Sequence, residues 1–421
     1  MTEVDGNGSM SGGHSIGSVL SLEQDVTRFH ADNACGIIID YACQMGASDI
    51  YIASSATEVD VSMRHLGMVK QLATLPSEAG GRLMGHIRAL AGMYTAEKRL
   101  PQDARWSRKL GNGRRVDLRL CSIPTIHGES FSIRVLDRET QLRTLEQLGF
   151  VGLQQGIVTN MLHSPSGLVL VTGPTGAGKS TTLYAFLRYL NDGKRKIHTI
   201  EDPVEYTLAG LRQSQVDESN GADFYQLLRG VLRQGPDVIM IGEIRDLATA
   251  ETAVRAANSG QLVFATLHAP VASAALQSML GLGIPAHVLC TSLLGVIGQR
   301  LMRTVSPKTR VAMDMSHAPQ MFDEVRQWLS TDEGRMIYAA ASSEPHEGYD
   351  GRTGLFEIMS MTPAIRAALT QLQPASTIAQ KAIEEGMMDF RRAALVKIAQ
   401  GVTTFDEMCR VVPTGEMWVD V

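Results

Sequence analysis

Residues 168–180 read LVLVTGPTGAGKS, an apolar strand pattern that runs into a glycine-rich loop ending in lysine and serine. The loop fits the pattern G-x-x-x-x-G-K-[ST], and a helical pattern follows it from Thr181 to about Leu190. The glycines let successive backbone N–H groups point at phosphate oxygens, and the helix adds the positive end of its dipole. This order of strand, loop and helix predicts a phosphate-binding loop in a parallel α/β fold.

The residue types in this loop indicate a site for a nucleotide with Mg²⁺. We expect the Lys179 ammonium group to reach the β- and γ-phosphates and the Ser180 hydroxyl group to ligate Mg²⁺. The predicted nucleotide-binding residues are Gly173, Pro174, Thr175, Gly176, Ala177, Gly178, Lys179, Ser180 and Thr181.

Three further strand patterns follow the loop, at 196–200, 238–241 and 262–265, with helical patterns between them. Strands that alternate with helices in this way predict a parallel sheet covered on both faces. A helical pattern from about 360 to the C-terminus follows the last of these segments. The nucleotide-binding domain is therefore expected to span 153–421.

Polar residues follow each of these three strands: the run EDPVE at 201–205, Glu243 after an intervening Gly242, and His268. Nucleotide hydrolysis needs a carboxylate that takes or orients the proton of the attacking water, and a second acid helps hold Mg²⁺. The residues alone leave 201–205 open between catalysis and a solvated loop, and His268 open between a phosphate contact and a core histidine. The position of Glu243 after an apolar strand favours a role in holding Mg²⁺, although the intervening Gly242 makes this Walker B pattern atypical.

The first 152 residues divide into three parts. A Gly/Ser-rich stretch at 1–24 is expected to be a flexible tail, 25–137 reads as a small mixed α/β domain, and 138–152 reads as a linker. In the small domain, apolar residues alternate with polar ones at 115–120 and 131–135, which places Arg119 and Arg134 on the polar face of their strands.

Composition excludes several classes of protein. The chain has 421 residues with 39 Lys+Arg against 44 Asp+Glu, so its formal charge of −5 argues against a chain-wide nucleic-acid-binding surface. Its five cysteines contain no C-x2-C pair, so neither a zinc ribbon nor a disulfide framework is indicated, and a reducing cytosol fits best. No apolar run reaches the roughly 18 residues of a membrane span, and the first residues lack the pattern of a secretory signal.

These residues resemble the type II/type IV secretion ATPases, the motors of type II secretion, of type IV pilus assembly and retraction, and of conjugation. The resemblance covers the chain from about Cys35 onward. The motifs that match are the Walker A motif at 173–180, the Asp box TIEDPVEY at 199–206, the Walker B motif LRQGPDVIMIGE at 232–243 and the His box TLH at 266–268. Shorter matches are GASDIYI at 46–52, PQDAR at 101–105, GE at 128–129, GYDGRTGLFE at 348–357 and GVTT at 401–404.

The resemblance implies a RecA-like P-loop ATPase domain preceded by a small PAS-like α/β domain, in a homohexameric ring that binds ATP and Mg²⁺ between the two domains. By matched position, Glu205 is the general base, Glu243 holds Mg²⁺ through water, and His268 senses the γ-phosphate. Arg119 and Arg134 supply positive charge to the phosphates. The other members of the Asp box are Glu201 and Asp202. Arginines that could contact a neighbouring subunit are Arg105, Arg229, Arg233 and Arg245.

The resemblance also implies a working place and partners. It indicates a cytoplasmic motor, peripheral at the inner membrane, that drives pilus assembly or secretion through a membrane platform protein. We expect no nucleic acid as a partner because the composition is acidic, and no zinc because the sequence has no C-x2-C pair. The absence of the family's two C-x-x-C pairs after Gln299-Arg300-Leu301 resembles the retraction and conjugation members. PQDAR and 348–357 resemble the assembly and secretion members instead, so both branches stay open.

Three other classes remain as alternatives. A DNA-translocating RecA-like ATPase is disfavoured by the acidic composition. A ring that binds nucleotide without hydrolysing it is disfavoured by the presence of Lys179, Ser180, Glu205 and Glu243. A GTP-specific or small-molecule P-loop enzyme is disfavoured because the sequence has no N-K-x-D motif.

Overall fold

The structure, a computed structural model, describes residues 30–136, 142–341 and 348–412. The contacts divide the chain into two compact units, and the boundary between them falls between Thr140 and Gln141. The predicted tail at 1–24 and the beginning of the predicted linker lie outside the described residues.

The first unit is a six-stranded antiparallel sheet in the order β3-β2-β1-β6-β5-β4, with two helices. The helices are α1 (Ala31–Gln44) and α2 (Ser77–Leu90). The strands are β1 (Asp49–Ser54), β2 (Glu58–His65), β3 (Met68–Pro76), β4 (Gln102–Lys109), β5 (Arg115–Thr125) and β6 (Gly128–Leu136).

Alternation along the strands decides which face of this sheet is buried. The apolar residues of β5, such as Leu118, are buried in one cluster with the inner faces of α1 and α2. Successive side chains in a strand point to opposite faces, so Arg119 lies on the outer face, as the sequence predicts. There Arg119 is the cross-strand neighbour of Arg134 on β6 and of Arg105 on β4.

The second unit contains a seven-stranded sheet in the order β15-β12-β7-β11-β10-β8-β9, which is parallel except for β15. Its strands are β7 (Gly167–Thr172), β8 (Ile197–Glu201), β9 (Arg212–Gln215), β10 (Val238–Ile241), β11 (Leu262–Leu267), β12 (Leu293–Val305) and β15 (Tyr349–Ser360). A separate pair consists of β13 (Val311–Asp314) and β14 (Met336–Ala339).

Both faces of the large sheet are buried. In β7, Leu168 and Leu170 belong to one apolar cluster, whereas Val169 and Val171 belong to another. The helices of this unit are α3 (Gln154–Leu162), α4 (Lys179–Leu190), α5 (Phe224–Leu232), α6 (Leu247–Asn258), α7 (Ala272–Gly281), α8 (Ala286–Ser292), α9 (Pro363–Thr370), α10 (Ala375–Glu384), α11 (Phe390–Ala399) and α12 (Phe405–Val411). Residues of α5 and α6 lie in the first cluster and residues of α4 in the second. The predicted parallel sheet, covered on both faces, is therefore confirmed.

The apolar end of the predicted linker packs on the second unit. Leu145 and Leu148 are buried in the cluster that contains α4. The Phe150 ring lies 4.4 Å from the Phe356 ring, measured between centroids, and the Leu148 carbonyl oxygen accepts a hydrogen bond of 2.9 Å from the Gly354 amide. Within the described ranges, no helix has both the length and the apolar character needed to cross a membrane.

A buried lysine fastens this segment to the C-terminal helices. Lys397, on α11, is 3% exposed, and its ammonium group donates to the Gly149 carbonyl oxygen at 2.6 Å and to the Thr353 hydroxyl oxygen at 3.1 Å. Burial lowers the pKa of Lys397 to about 8 because a low-dielectric surrounding disfavours the charged form.

This burial makes stability depend on pH in a defined window. Between pH 8 and 10.5, the unfolded chain still binds a proton at Lys397 that the folded chain has released, so the wild type gains stability as the pH rises. We expect its free energy of unfolding to rise by about 1.4 kcal/mol per pH unit relative to Lys397→Met. Below pH 8 both states are protonated, and the two curves run parallel. Chemical unfolding of the wild type and the variant at a series of pH values measures the difference.

The control is Lys308→Met, because Lys308 is an exposed lysine of the same unit. This variant should follow the wild-type pH dependence throughout. A Lys397→Met curve that also follows the wild type between pH 8 and 10.5 would contradict the assignment.

Candidate nucleotide-binding site

Four loops meet at one edge of the large sheet. They follow β7, β11, β10 and β8, which are neighbours in the sheet and run parallel. Because parallel strands end at the same edge, the loops at 173–178, 268–271, 242–246 and 202–206 are brought together there. The carboxyl edge is where open α/β sheets bind their ligands.

The phosphate-binding loop lies against the backbone of β12. Gly173, Gly176 and Gly178 have φ values of +149°, +78° and +87°, a region that glycine enters without a steric penalty. A Cβ atom at Gly173 would lie 2.3 Å from the Gln299 carbonyl oxygen of β12. The glycine at 173 is therefore required both by its conformation and by the close approach of two backbones.

Lys179 begins α4 and folds back over this loop. Its ammonium group donates to the Gly173 carbonyl oxygen at 2.6 Å and to the Pro174 carbonyl oxygen at 3.3 Å. His268 Nδ1 lies 3.4 Å from the same ammonium nitrogen. Burial lowers the pKa of Lys179, while the negative charge of Glu243 acts in the opposite direction.

Glu243 lies at the centre of the charged groups. Its carboxylate is 3.1 Å from His268 Nε2 on one side and 2.7 Å from an Arg245 guanidinium nitrogen on the other. Arg245 also reaches the Asp202 carboxylate at 3.4 Å. Together with the Lys179–His268 contact, these polar contacts join residues at the ends of all four strands in one network.

Arg245 was expected to contact a neighbouring subunit. In the structure, its guanidinium group contacts Glu243 and Asp202 of its own unit, in the network just described. The structure therefore gives Arg245 a place within the site. A contact with a second chain stays a prediction.

The glycine that makes the Walker B pattern atypical has a steric reason. The Gly242 amide donates to the Ile200 carbonyl oxygen at 2.7 Å. A Cβ atom at Gly242 would lie 3.1 Å from that oxygen and 3.3 Å from the Glu201 Cα atom. The loop after β10 therefore passes close to the end of β8, and the acid follows one residue later.

Three side chains fix the loop that follows β11. The Thr172 hydroxyl group donates to the Ala269 carbonyl oxygen at 2.9 Å and accepts from the Ala269 amide at 2.8 Å. Thr266 donates to the Gly242 carbonyl oxygen at 2.5 Å. The buried Glu357 carboxylate accepts from the Ala272 amide, at the first residue of α7. His268 is thereby held on a backbone that is fixed on both sides.

The three carboxylates of the Asp box have different surroundings. Glu201 is buried at the end of β8 and accepts hydrogen bonds from the Tyr184 and Thr199 hydroxyl groups. Asp202 is exposed and paired with Arg245, and Glu205 is half-buried on the same short loop. The structure therefore separates one buried acid, Glu201, which is bound by side-chain hydrogen bonds, from Asp202 and Glu205, which are more exposed.

The predicted arginines of the first unit lie together. Arg105, Arg119 and Arg134 line a cavity of about 500 Å³, with Asp49 and Asp103 among its other lining residues. The Arg134 Nε donates to Asp49 Oδ1 at 3.3 Å. Their approach to a nucleotide stays a prediction.

Arg229 and Arg233 lie at the surface of the second unit, at the end of α5. The Arg229 guanidinium group lies over the Tyr225 ring, 5.5 Å from its centroid. Contacts of these two arginines with a neighbouring subunit stay a prediction.

The residues present fit a magnesium nucleotide. Mg²⁺ keeps several waters and is usually bound by one or two protein oxygens together with substrate phosphates. Ser180, in the first turn of α4, is exposed at the loop, and the Glu243 carboxylate supplies an acidic oxygen. Among the described residues, no three His, Cys, Asp or Glu side chains form a group that could hold a metal ion without such help. The expectation of no zinc stays a prediction.

The sheet, the phosphate-binding loop and the acids at the strand ends define a P-loop nucleotide-binding domain of the RecA-like class. A family model described as a type II/IV secretion system protein matches residues 32–410. The chain belongs to this family, and the predicted class, an ATPase of secretion and pilus machinery, is confirmed.

Relatives of known identity extend over most of the chain. It is 38% identical to the type II secretion system protein E of Dickeya dadantii over 395 residues, 93% of this chain and 77% of that protein. It is 34% identical to the type IV pilus assembly ATPase PilB of Pseudomonas aeruginosa over 414 residues, 95% of this chain and 71% of that protein.

Solved structures confirm the predicted fold class. The ATPase DotB of Legionella pneumophila matches with a TM-score of 0.67 at 19% identity, over 89% of this chain and 94% of that chain. The pilus retraction motor PilT, solved with bound ADP, matches with a TM-score of 0.60 at 26% identity, over 90% of this chain and 97% of that chain.

Sequence reasoning missed several residues that shape the site. Tyr184, Gln213 and Gln299 lie in no motif that marks a task at the strand ends. Tyr184 falls within an apolar helical pattern and reads as a core residue. Only Glu357, the last residue of a matched stretch, carried a signal.

The close approach at Gly173 leads to a test of the loop. We expect Gly173→Ala to weaken nucleotide binding more than tenfold (about 1.4 kcal/mol), because the new methyl group must displace the loop from β12. Titration calorimetry with Mg²⁺ and ADP measures the affinity. Gly193→Ala is the matched control, since Gly193 also has a positive φ of +78° but has open space around it. Equal affinities in the two variants would contradict the steric argument.

Proposed function

We propose that this chain is the ATP-hydrolysing subunit of a homohexameric motor that powers pilus assembly or protein secretion at the cytoplasmic face of an inner membrane. The observation that carries the proposal is the network at the sheet edge. In this network, Lys179 contacts His268 at 3.4 Å, and His268 contacts Glu243 at 3.1 Å. Arg245 then joins Glu243, at 2.7 Å, to Asp202, at 3.4 Å. These residues come from the ends of four neighbouring strands.

Each residue of the network has a chemical task in phosphoryl transfer. Lys179 binds the β- and γ-phosphates, and the loop N–H groups hold the remaining phosphate oxygens. Ser180 and Glu243 hold Mg²⁺, which neutralises charge on the phosphates when it is bound. His268, fixed between Lys179 and Glu243, contacts the γ-phosphate.

Glu205 is assigned as the general base. It lies on the same short loop as Asp202, and the Arg245 pairing with Asp202 and Glu243 links this loop to the Walker B residues. A carboxylate in that position accepts the proton of the water that attacks the γ-phosphate. The buried Glu201 is not available for this step because its oxygens already accept side-chain hydrogen bonds.

The arginines of the first unit are assigned to the phosphates. Three guanidinium groups in adjacent register positions form a concentration of positive charge that favours a polyanion. Arg119 and Arg134 stabilise the charge that develops in the transition state, and Arg105 lies beside them. This assignment rests on the proposed hexamer, and the two are tested together below.

The branch of the family is assigned to assembly or secretion. The curated relatives at 34–38% identity are type II secretion proteins E and pilus assembly ATPases, whereas the retraction motor PilT is 26% identical. The partner is then a membrane platform protein of such a machine. Retraction or conjugation is the alternative within the same family.

Two substitutions test the catalytic assignment. We expect Glu205→Gln and Lys179→Ala to reduce steady-state ATP hydrolysis about a hundredfold or more, because the first removes the base and the second removes the phosphate-binding cation. The controls are Glu218→Gln and Lys194→Ala, which make the same changes at exposed positions of the same unit. Turnover near the wild-type rate in Glu205→Gln or Lys179→Ala would refute the roles.

A second experiment tests the arginines and the ring together. Hydrolysis is measured with and without Mg²⁺ on fractions separated by size, and we expect it to follow the hexamer fraction. Arg119→Ala and Arg134→Ala should each lower kcat about a hundredfold or more while the hexamer persists, because each removes a cation from the transition state. The matched control is Arg115→Ala, at the exposed start of β5. Loss of activity in Arg115→Ala with full activity in Arg119→Ala would move the role to Arg115.

A further inference from the structure

Both ends of the acidic loop converge on one hydroxyl group. The Tyr184 hydroxyl group donates to a Glu201 carboxylate oxygen, and Glu201 is the last residue before the loop. The same hydroxyl oxygen accepts a hydrogen bond of 3.3 Å from the Tyr206 amide, where the loop ends. The segment between these two anchors contains Asp202 and Glu205.

The side chain of Gln213 on β9 supports the same two anchors. Its amide nitrogen donates to the Glu201 carboxylate at 3.1 Å and to the Tyr206 carbonyl oxygen at 2.8 Å. Its amide oxygen accepts from the Leu208 amide at 2.7 Å. Thr199 adds a hydrogen bond of 2.6 Å to Glu201. Both ends of the loop are therefore held by hydrogen bonds to the side chains of Tyr184 and Gln213, and Thr199 adds a bond at Glu201.

The anchor is buried and stays protonated. Tyr184 is 2% exposed and Glu201 is 4% exposed, and the Tyr206 ring packs edge-on against the Tyr184 ring at 5.5 Å between centroids. Burial and the neighbouring Glu201 charge raise the pKa of Tyr184. The raised pKa keeps the phenol protonated, as its role as a hydrogen-bond donor to Glu201 requires.

Tyr184 also belongs to the phosphate-binding helix. It lies on α4, five residues after Lys179, and α4 begins at the phosphate-binding loop. The helical turns between Lys179 and the anchored Tyr184 ring fix the distance between the loop that holds the phosphates and the loop that carries the acid. Catalysis is sensitive to such distances, since a displacement of about 1 Å can lower a rate about a hundredfold.

We infer that Tyr184 is a positioning residue, whose hydroxyl group fixes the Glu205 loop relative to the phosphate-binding helix. This inference rests on the proposed function, because it assigns Tyr184 a task in ATP hydrolysis through Glu205. It predicts an effect on the chemical step and little effect on nucleotide binding, since the phosphate-binding loop keeps its own contacts with β12 and Lys179.

The test is Tyr184→Phe, which removes the hydroxyl oxygen and keeps the buried ring. We expect kcat for ATP hydrolysis to fall about tenfold to a hundredfold while KM and the calorimetric affinity for Mg²⁺ and ADP stay within about twofold. The matched control is Tyr189→Phe on the same helix. Tyr189 is 43% exposed, and within the described residues its hydroxyl group is hydrogen-bonded only to His163. Wild-type kcat in Tyr184→Phe, or an equal loss in Tyr189→Phe, would overturn the inference.

A double-mutant cycle separates positioning from a merely structural role. If Tyr184 acts through Glu205, adding Tyr184→Phe to Glu205→Gln lowers the residual rate less than about twofold, because the group being positioned is already gone. If the loss has the same factor in both backgrounds, Tyr184 acts independently of Glu205, and the inference fails.

Two further results keep the test decisive. Should Tyr184→Phe fail to fold, Glu201→Gln carries the same expectation of a lowered kcat with an unchanged KM, and a wild-type kcat in that variant would overturn the inference. The proposed function fails separately, if the wild-type protein itself hydrolyses no ATP in any size fraction. An active wild type, an inactive Glu205→Gln and an unaffected Tyr184→Phe would reject only the positioning role.

Discussion

Four neighbouring parallel strands that must end at the same edge are the constraint on which the site depends. The interior strand β7 is buried on both faces, so its side chains pack in two apolar clusters and only its end is available for chemistry. The same holds for β8, β10 and β11, all of whose residues are buried. The strands therefore contribute position, and the loops contribute function.

Short polar contacts between neighbouring strand ends turn this common edge into a defined geometry. Thr172 links the end of β7 to the loop after β11, and Thr266 links the end of β11 to the loop after β10. The Gly242 amide links the loop after β10 to β8. Each link crosses to the adjacent strand, so the four loops are held in register with one another. The ion pairs of Arg245 with Glu243 and Asp202 connect two of the loops that these hydrogen bonds hold.

The sequence predicted which segments form the strands that build the edge, because each is a short apolar run between helical patterns and the loop 173–178 has a pattern of its own. The residue pattern alone, without the family resemblance, did not separate Glu201 from Glu205, since burial of a carboxylate depends on partners such as Tyr184 and Gln213 that lie elsewhere in the chain. It left the glycine at 242 unexplained because the reason is a contact with another strand.

The end of the predicted linker shows the same limit. Charge and length marked 138–152 as a connection, but Leu145 and Leu148 are buried in the core of the second unit. Apolar residues in a short stretch without periodicity carry no signal of what they pack against.

The neighbouring arginines of the first unit show the opposite case. Strict alternation on β5 and β6 was sufficient to place Arg119 and Arg134 on one face.

The Lys397 contact with Gly149 has a mechanical consequence. Tension that enters the second unit along the chain at residue 142 meets three attachments in succession: the buried Leu145, the hydrogen bond between Leu148 and Gly354, and the buried ammonium group at Gly149. These attachments lead into β15 and α11. A pull on the chain at this point is therefore borne first by β15 and α11, and β15 also carries Glu357, whose carboxylate holds the start of α7 beside the His268 loop.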